Sequence, residues 1–185
     1  MRLFIAINLP EQIKRIISQK MDKIQPLLTS GSPRFSSRED WHLTLTFLGE
    51  QPDEAIGPIL KAIKETAREF EKPEINFESI SYFPPDKPAR MVWAMADKET
   101  SQILGELKTK LEDRLVDERV KFHRENRPFS AHITLVRFST TLSGLSDKIL
   151  APLSLPFEAQ TLDLMESQLK HNGPDYENLS KFAFL

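Results

Sequence analysis

The chain has 185 residues, 39% of them hydrophobic and 28% charged, which fits a globular protein long enough to bury a core and argues against disorder. Its 25 basic and 27 acidic side chains leave a formal charge of −2, which excludes a generally basic nucleic-acid coat but not a local basic patch. Cysteine is absent, so disulfides, thiolate metal sites, iron–sulfur clusters and cysteine nucleophiles are all excluded.

An apolar run over 3–8, bounded by Pro10, predicts a first strand. A helix is expected from about Pro10, with Ile13, Ile16, Ile17, Met21 and Ile24 at three- and four-residue spacing. Gly31, Ser32, Pro33 and the polar residues 36–40 read as a loop, and 41–48 as a strand ended by Gly49. Pro52 and Asp53 open a second helix to about Phe70, whose apolar face would carry Ile56, Leu60, Ile63 and Ala67. Residues 75–83 form a third strand, stopped by Pro84 and Pro85. The order then restarts: a strand over 90–96, a helix over 100–116 carrying Ile103, Leu107, Leu111 and Leu115, and a polar loop containing Pro128. A strand over 131–138 follows, then an extended stretch over 157–169, a hairpin turn at 171–174 and a return through 176–185. No run approaches the length of a membrane span, and the start runs into Glu11, Lys14 and Arg15 without a cleavage site. The expected setting is therefore the cytoplasm, with no membrane partner.

Arg90 lies 88 residues after Arg2, and His132 lies 90 residues after His42. This near-constant offset predicts an internally duplicated fold of strands and helices. It would form a single domain over 1–185 with two pseudo-symmetric lobes, repeat units 2–83 and 90–185, packed around a cleft.

Each unit carries one tetrapeptide on a strand: His42-Leu43-Thr44-Leu45 and His132-Ile133-Thr134-Leu135. Side chains alternate along a strand, so His42 and Thr44 share a face, about 7 Å apart, with Leu43, Leu45 and Phe47 behind them. His132 and Thr134 repeat the arrangement. Two imidazoles and two hydroxyls converging on a cleft suit phosphodiester chemistry. One imidazole activates the attacking oxygen, the other protonates the leaving oxygen, and the hydroxyls hold the non-bridging oxygens, with no metal or other cofactor required. A lone strand histidine is ordinarily a packing residue, and the matched pairs are what count against that reading. His123, in a polar run, reads as solvated and His171 as a turn residue. Phe4, Phe129 and Tyr82 are candidates for stacking a base, against the commoner role of core packing. By strict alternation Arg137 points away from His132, and only a twist or bulge would return it to the cleft.

Taken together these segments resemble the 2H phosphoesterase superfamily, and within it the RNA 2′,3′-cyclic phosphodiesterases historically named 2′-5′ RNA ligases. The likeness is carried by residues 2–7, by 41–50 with the first motif and by Asn126-Arg127-Pro128-Phe129 leading into the second. Arg137 and the tail residues Ser167-Gln168-Leu169, Gly173-Pro174 and Tyr176 add to it. Ala131 departs from the proline common before the second histidine. The resemblance implies a bilobal α+β fold of two mainly antiparallel sheets flanked by helices around a central cleft, with no metal. It implies His42 as proton donor to the leaving ribose oxygen, His132 as the acceptor that activates water, Thr44 and Thr134 as phosphate-holding residues, and Arg137 as a further substrate ligand. The implied substrate is an RNA or oligonucleotide with a 2′,3′-cyclic phosphate end, opened by a monomer to a 2′-phosphomonoester, with slow reverse formation of a 2′-5′ linkage. A non-catalytic nucleotide- or RNA-binding module and a phosphodiesterase for small cyclic nucleotides are the alternatives. A metal-dependent hydrolase fits less well, for want of a clustered ligand motif.

Overall fold

Leu3, Phe4, Ile5, Ala6 and Ile7 are all buried in β1 (Arg2–Asn8), so this strand is covered on both faces and sits inside a sheet. The computed structural model describes residues 1–145, 149–170 and 173–185. After β1 come α1 (Glu11–Ile24), β2 (Pro33–Phe35), β3 (His42–Glu50), α2 (Ile56–Ala67), β4 (Glu74–Phe83) and β5 (Ala89–Ala96). Next are α3 (Lys98–Asp117), β6 (His132–Leu142), β7 (Ile149–Glu158), β8 (Thr161–Lys170) and β9 (Gly173–Ala183). The strands form two antiparallel sheets, in the orders β3-β1-β8-β9 and β2-β6-β5-β4-β7, giving the expected α+β architecture.

The sheets do not coincide with the sequence repeats. β4, from the first half, pairs with β5, while β8, from the second half, pairs with β1. Each half thus contributes two strands to the other half's sheet, β2 and β4 from the first and β8 and β9 from the second. The helices bridge in the same way: α1 meets β7, α2 meets β8 and β9, and α3 meets β3 and β4.

Main-core side chains lie between sheets and helices. Leu3, Ile5 and Ile7 of β1 join Ile13, Ile17, Met21 and Ile24 of α1 there, while Ile16 is only half-buried. On α2 the buried face is Ile59, Ala62, Ile63, Thr66 and Ala67, turned from the predicted stripe, with Ile56 and Leu60 at its partly buried margin. α3 starts two residues earlier than its apolar spacing predicts, because Asp97 caps it by accepting a bond from the backbone N–H of Thr100 at 2.8 Å.

Two strands were not separable in the sequence. β2 falls in the expected loop, and the stretch expected over 157–169 is the end of β7 followed by β8. β2 docks because Gly31 permits it: its φ is +77°, and a Cβ there would lie 2.8 Å from the Thr140 carbonyl oxygen. The predicted turn residues His171 and Asn172 lie outside the described residues.

Candidate active site

In the first sheet β3 pairs with β1 so that His42 faces Asn8, Thr44 faces Ala6 and Phe47 faces Phe4. Asn8, Ala6 and Phe4 alternate along β1 and share one face, so their three partners do as well. Between Thr44 and Thr46 the register slips by one residue, leaving Leu45 without a partner on β1. That bulge corrects the expectation from strict alternation: Phe47 does not pack behind the motif but stands on the His42 side, 65% exposed. Thr46 is turned inward instead, where its hydroxyl donates to Glu112 Oε1 at 3.1 Å.

β6 repeats the device. His132 pairs with Met95, Thr134 with Trp93 and Arg137 with Met91, and the slip passes over Leu135. Met95, Trp93 and Met91 share a face of β5, so the bulge carries Arg137 to the His132 side, against the strict-alternation expectation. Ser36, just beyond β2, pins it: its N–H donates to the Leu135 carbonyl at 2.9 Å and its hydroxyl to the Thr134 carbonyl at 2.9 Å. Burial along residues 41–50 and 131–140 is the same residue for residue, with both histidines and both motif threonines half-buried. The two strands approach each other, and Arg137 acts electrostatically on both His132 and, from the opposite sheet, Tyr176.

Each imidazole is fixed by aromatic rings and by the backbone two residues before it. His42 lies 4.9 Å, centroid to centroid, from Phe4 and 5.0 Å from Tyr176, which meets it edge-on. Phe4, Ala6 and Met165, with Tyr176 beside them, make an apolar floor separate from the main core. His132 is covered by Trp93, with centroids 3.5 Å apart and planes 14° from parallel, and Phe83 stacks on Trp93 at 3.4 Å. Its Nδ1 donates to the Ser130 carbonyl at 2.7 Å, which leaves Nε2 as the acceptor of a neutral ring. His42 makes the corresponding bond to the backbone of Asp40.

Burial lowers both imidazoles. His42 falls to about 4, mainly by desolvation with a smaller push from Lys14, while the bond to Asp40 opposes the shift. His132 is lowered by burial and by the positive charges of Arg127 and Arg137, against the bond to Ser130 and the charge of Glu125. Both rings are therefore neutral at pH 7 before substrate arrives.

Of the other sequence candidates, His123 is exposed, Tyr82 stacks on Phe138 and Phe129 packs beside Gly105. Phe4 is 2% exposed and supports His42 from below. Sequence reasoning missed Trp93, whose signal is the alternation of Met91, Trp93 and Met95 against Val92, Ala94 and Ala96. It also gave Tyr176 no part in positioning His42. A separate groove of about 810 Å³ runs between α3 and residues 124–129. Its walls include Lys108, Glu112, Arg124 and Asp113, which are engaged with one another. No group of three or more histidine, aspartate or glutamate side chains among the described residues is arranged to hold a metal ion.

Comparison with known proteins places the chain in a family. Residues 7–93 match the family of LigT-like phosphoesterases. An RNA 2′,3′-cyclic phosphodiesterase of Thermus thermophilus is 33% identical over 185 residues, covering 99% of this chain and 90% of its own. One from Methanocaldococcus jannaschii is 30% identical over 188 residues, covering 98% of this chain and 100% of its own. A crystal structure of a Thermus thermophilus protein superposes with a TM-score of 0.81 at 28% identity, over 100% of this chain and 98% of that one. Escherichia coli LigT complexed with 3′-AMP shares the fold, with a TM-score of 0.72 at 24% identity over 99% and 97% of the two chains.

Proposed function

Because the chain belongs to the LigT-like phosphoesterase family, we propose that it hydrolyses RNA 2′,3′-cyclic phosphate ends to 2′-phosphomonoesters. The observation that carries this reading is the matched pair of His/Thr faces, His42 with Thr44 and His132 with Thr134, on strands that approach each other from two sheets. Water attacks phosphorus as His132 Nε2 takes its proton. The P–O3′ bond breaks, and protonated His42 delivers a proton to the departing 3′ oxygen. Thr44 and Thr134 donate to the non-bridging oxygens, and Arg137 supplies positive charge to the substrate.

The tautomer supports this division of labour, since the bond from Nδ1 to Ser130 leaves Nε2 of His132 ready to accept. His42, neutral in the free protein, gains its proton when the phosphodiester anion enters and favours the charged imidazole. With a 5′-hydroxyl attacking in place of water, the same path breaks the P–O3′ bond and forms a 2′-5′ linkage slowly. A single chain supplies both His/Thr pairs, so the working unit is one domain over 1–185, its two lobes facing a shared cleft, acting as a monomer in the cytoplasm. No helix among the described residues is long and apolar enough to cross a membrane.

The deciding experiment is phosphorus NMR of the product from an oligonucleotide ending in a 2′,3′-cyclic phosphate, run in the presence of chelator. A 2′-phosphomonoester is expected, with turnover reduced about 10²–10⁴-fold in each of His42→Ala and His132→Ala. A 3′-phosphomonoester, near-normal rates in either variant, or loss of turnover with chelator would overturn the reading. A protein that binds the oligonucleotide without turnover would be the binding module instead.

A further inference from the structure

Arg34 and Arg137 face each other directly across the β2–β6 ladder. Like charges in that position repel and weaken an antiparallel pair. Both side chains are exposed, and neither is in an ion pair among the described residues; the recorded contact of Arg137 is from Nη1 to Met91 Sδ at 3.3 Å. Two devices hold the pair in place: the close approach permitted by Gly31 docks β2, and the Leu135 bulge, pinned by Ser36, turns Arg137 over. The pair lies on the side of β6 that carries His132 and Thr134. It is three residues beyond Thr134, about 7–10 Å along a bulged strand. At the equivalent place on β3 stands Phe47, which carries no charge.

We infer that Arg34 and Arg137 form a second anion subsite, holding the phosphodiester on the 5′ side of the terminal nucleoside while the cyclic phosphate reacts between the two His/Thr pairs. This deepens the proposed function and rests on it: the preferred substrate is an oligonucleotide with at least one internal phosphodiester. The RNA strand leaves the cleft over β2 and β6, and an anion between the guanidiniums relieves their repulsion.

The test compares Arg34→Gln with wild type on two substrates, a nucleoside 2′,3′-cyclic phosphate and a trinucleotide ending in the same cyclic phosphate. The trinucleotide-to-mononucleotide ratio of kcat/KM should fall about tenfold, the loss of one charge-assisted contact. The slope of log(kcat/KM) against log[salt] for the trinucleotide should flatten by about 0.7, the share of one neutralised phosphate on a single strand. An unchanged ratio, or equal losses on both substrates, would overturn the subsite. If wild type turns over neither substrate, the enzymatic reading fails on its own. The subsite is then judged by equilibrium binding of the trinucleotide and mononucleotide 2′-phosphates: a selective loss of trinucleotide affinity in Arg34→Gln supports it and no selective loss rejects it.

Discussion

The indole of Trp93 lies flat on the imidazole of His132, 3.5 Å centroid to centroid, and is backed on its other face by Phe83. With Nδ1 tied to Ser130, this holds the ring in one orientation and leaves Nε2 as its acceptor. Trp93 acts by positioning. Trp93→Phe keeps a flat partner and should stay within about threefold of wild-type kcat. Trp93→Leu keeps apolar bulk but releases the ring, and kcat should fall about 10–100-fold with KM little changed. The Leu variant should also shift the pH profile upward, because water reaches the His132 imidazole. Identical kinetics in the two variants would show that the stack is packing alone.

Thr44 faces Ala6, which leaves space above it, and Thr134 faces Trp93. Thr44→Val and Thr134→Val keep volume while removing a hydroxyl from half-buried strand positions. Each should lower kcat/KM about 10–100-fold as one donor to the phosphate is lost, with a Tm equal to or above wild type because Val suits a strand. Unchanged activity in both would assign the threonines to the fold.

What the sequence made legible follows from periodicity. His42 with Thr44 and His132 with Thr134 were readable because two residues of separation keep side chains on one face. Phe47 was misplaced and Arg137 left undecided because a bulge is a property of the paired strands: the slips at Leu45 and Leu135 appear only against β1 and β5. β2 is three residues long and too short for any period to show, yet it sets Arg34 beside Arg137. The exchange of β4 and β8 between sheets was equally hidden, since either pairing satisfies the same alternation. Trp93 escaped because its partner is chosen by the β5–β6 register, 39 residues further on in the chain.

Asp163 is wholly buried on β8, opposite Ala6, and its Oδ2 accepts from the side-chain amides of Asn8 and Asn178, each at 2.6 Å. Among the described residues its Oδ1 has no hydrogen-bond partner. Asp163→Ala removes the acceptor shared by two half-buried amides, one of them on the cross-strand neighbour of His42. Stability should drop by about 2–4 kcal/mol, lowering Tm by roughly 5–15 °C. Asp163→Asn, which keeps an acceptor oxygen, should lose less. A Tm within 2 °C or so of wild type for the Ala variant would show that the amides find other partners.

The pH dependence of stability follows from His42, lowered on folding from 6.5 to about 4. Between those values the unfolded chain binds more protons than the folded one. The stabilisation is therefore complete above about pH 6.5 and is lost as pH falls through about 4, at most about 3 kcal/mol. Lowered His132 adds in the same direction. Chemical denaturation of wild type and His42→Asn between pH 4 and 7 should show a shallower fall in the variant. Parallel curves would mean that His42 titrates alike in both states.

Activity should carry the same signature. The kcat/KM profile reports the free protein, in which one imidazole titrates at about 4 and the other below its ordinary value. A bell bounded by two such groups peaks between them, so the optimum of kcat/KM should lie below about pH 6.5, whichever ring is the donor. The two rings titrate as a pair, so the limbs belong to the pair and not to single residues. The donor assigned here, His42, is lowered to about 4, so near neutral pH only a small fraction of free protein holds the productive arrangement of protonated His42 and neutral His132. A bound phosphodiester anion favours the charged imidazole and enlarges that fraction. Both limbs of the kcat profile should therefore lie at higher pH than those of kcat/KM. Superimposable profiles, or a kcat/KM optimum above pH 7.5, would show that the rings are not held in the desolvated state that their packing against Phe4, Tyr176 and Trp93 imposes.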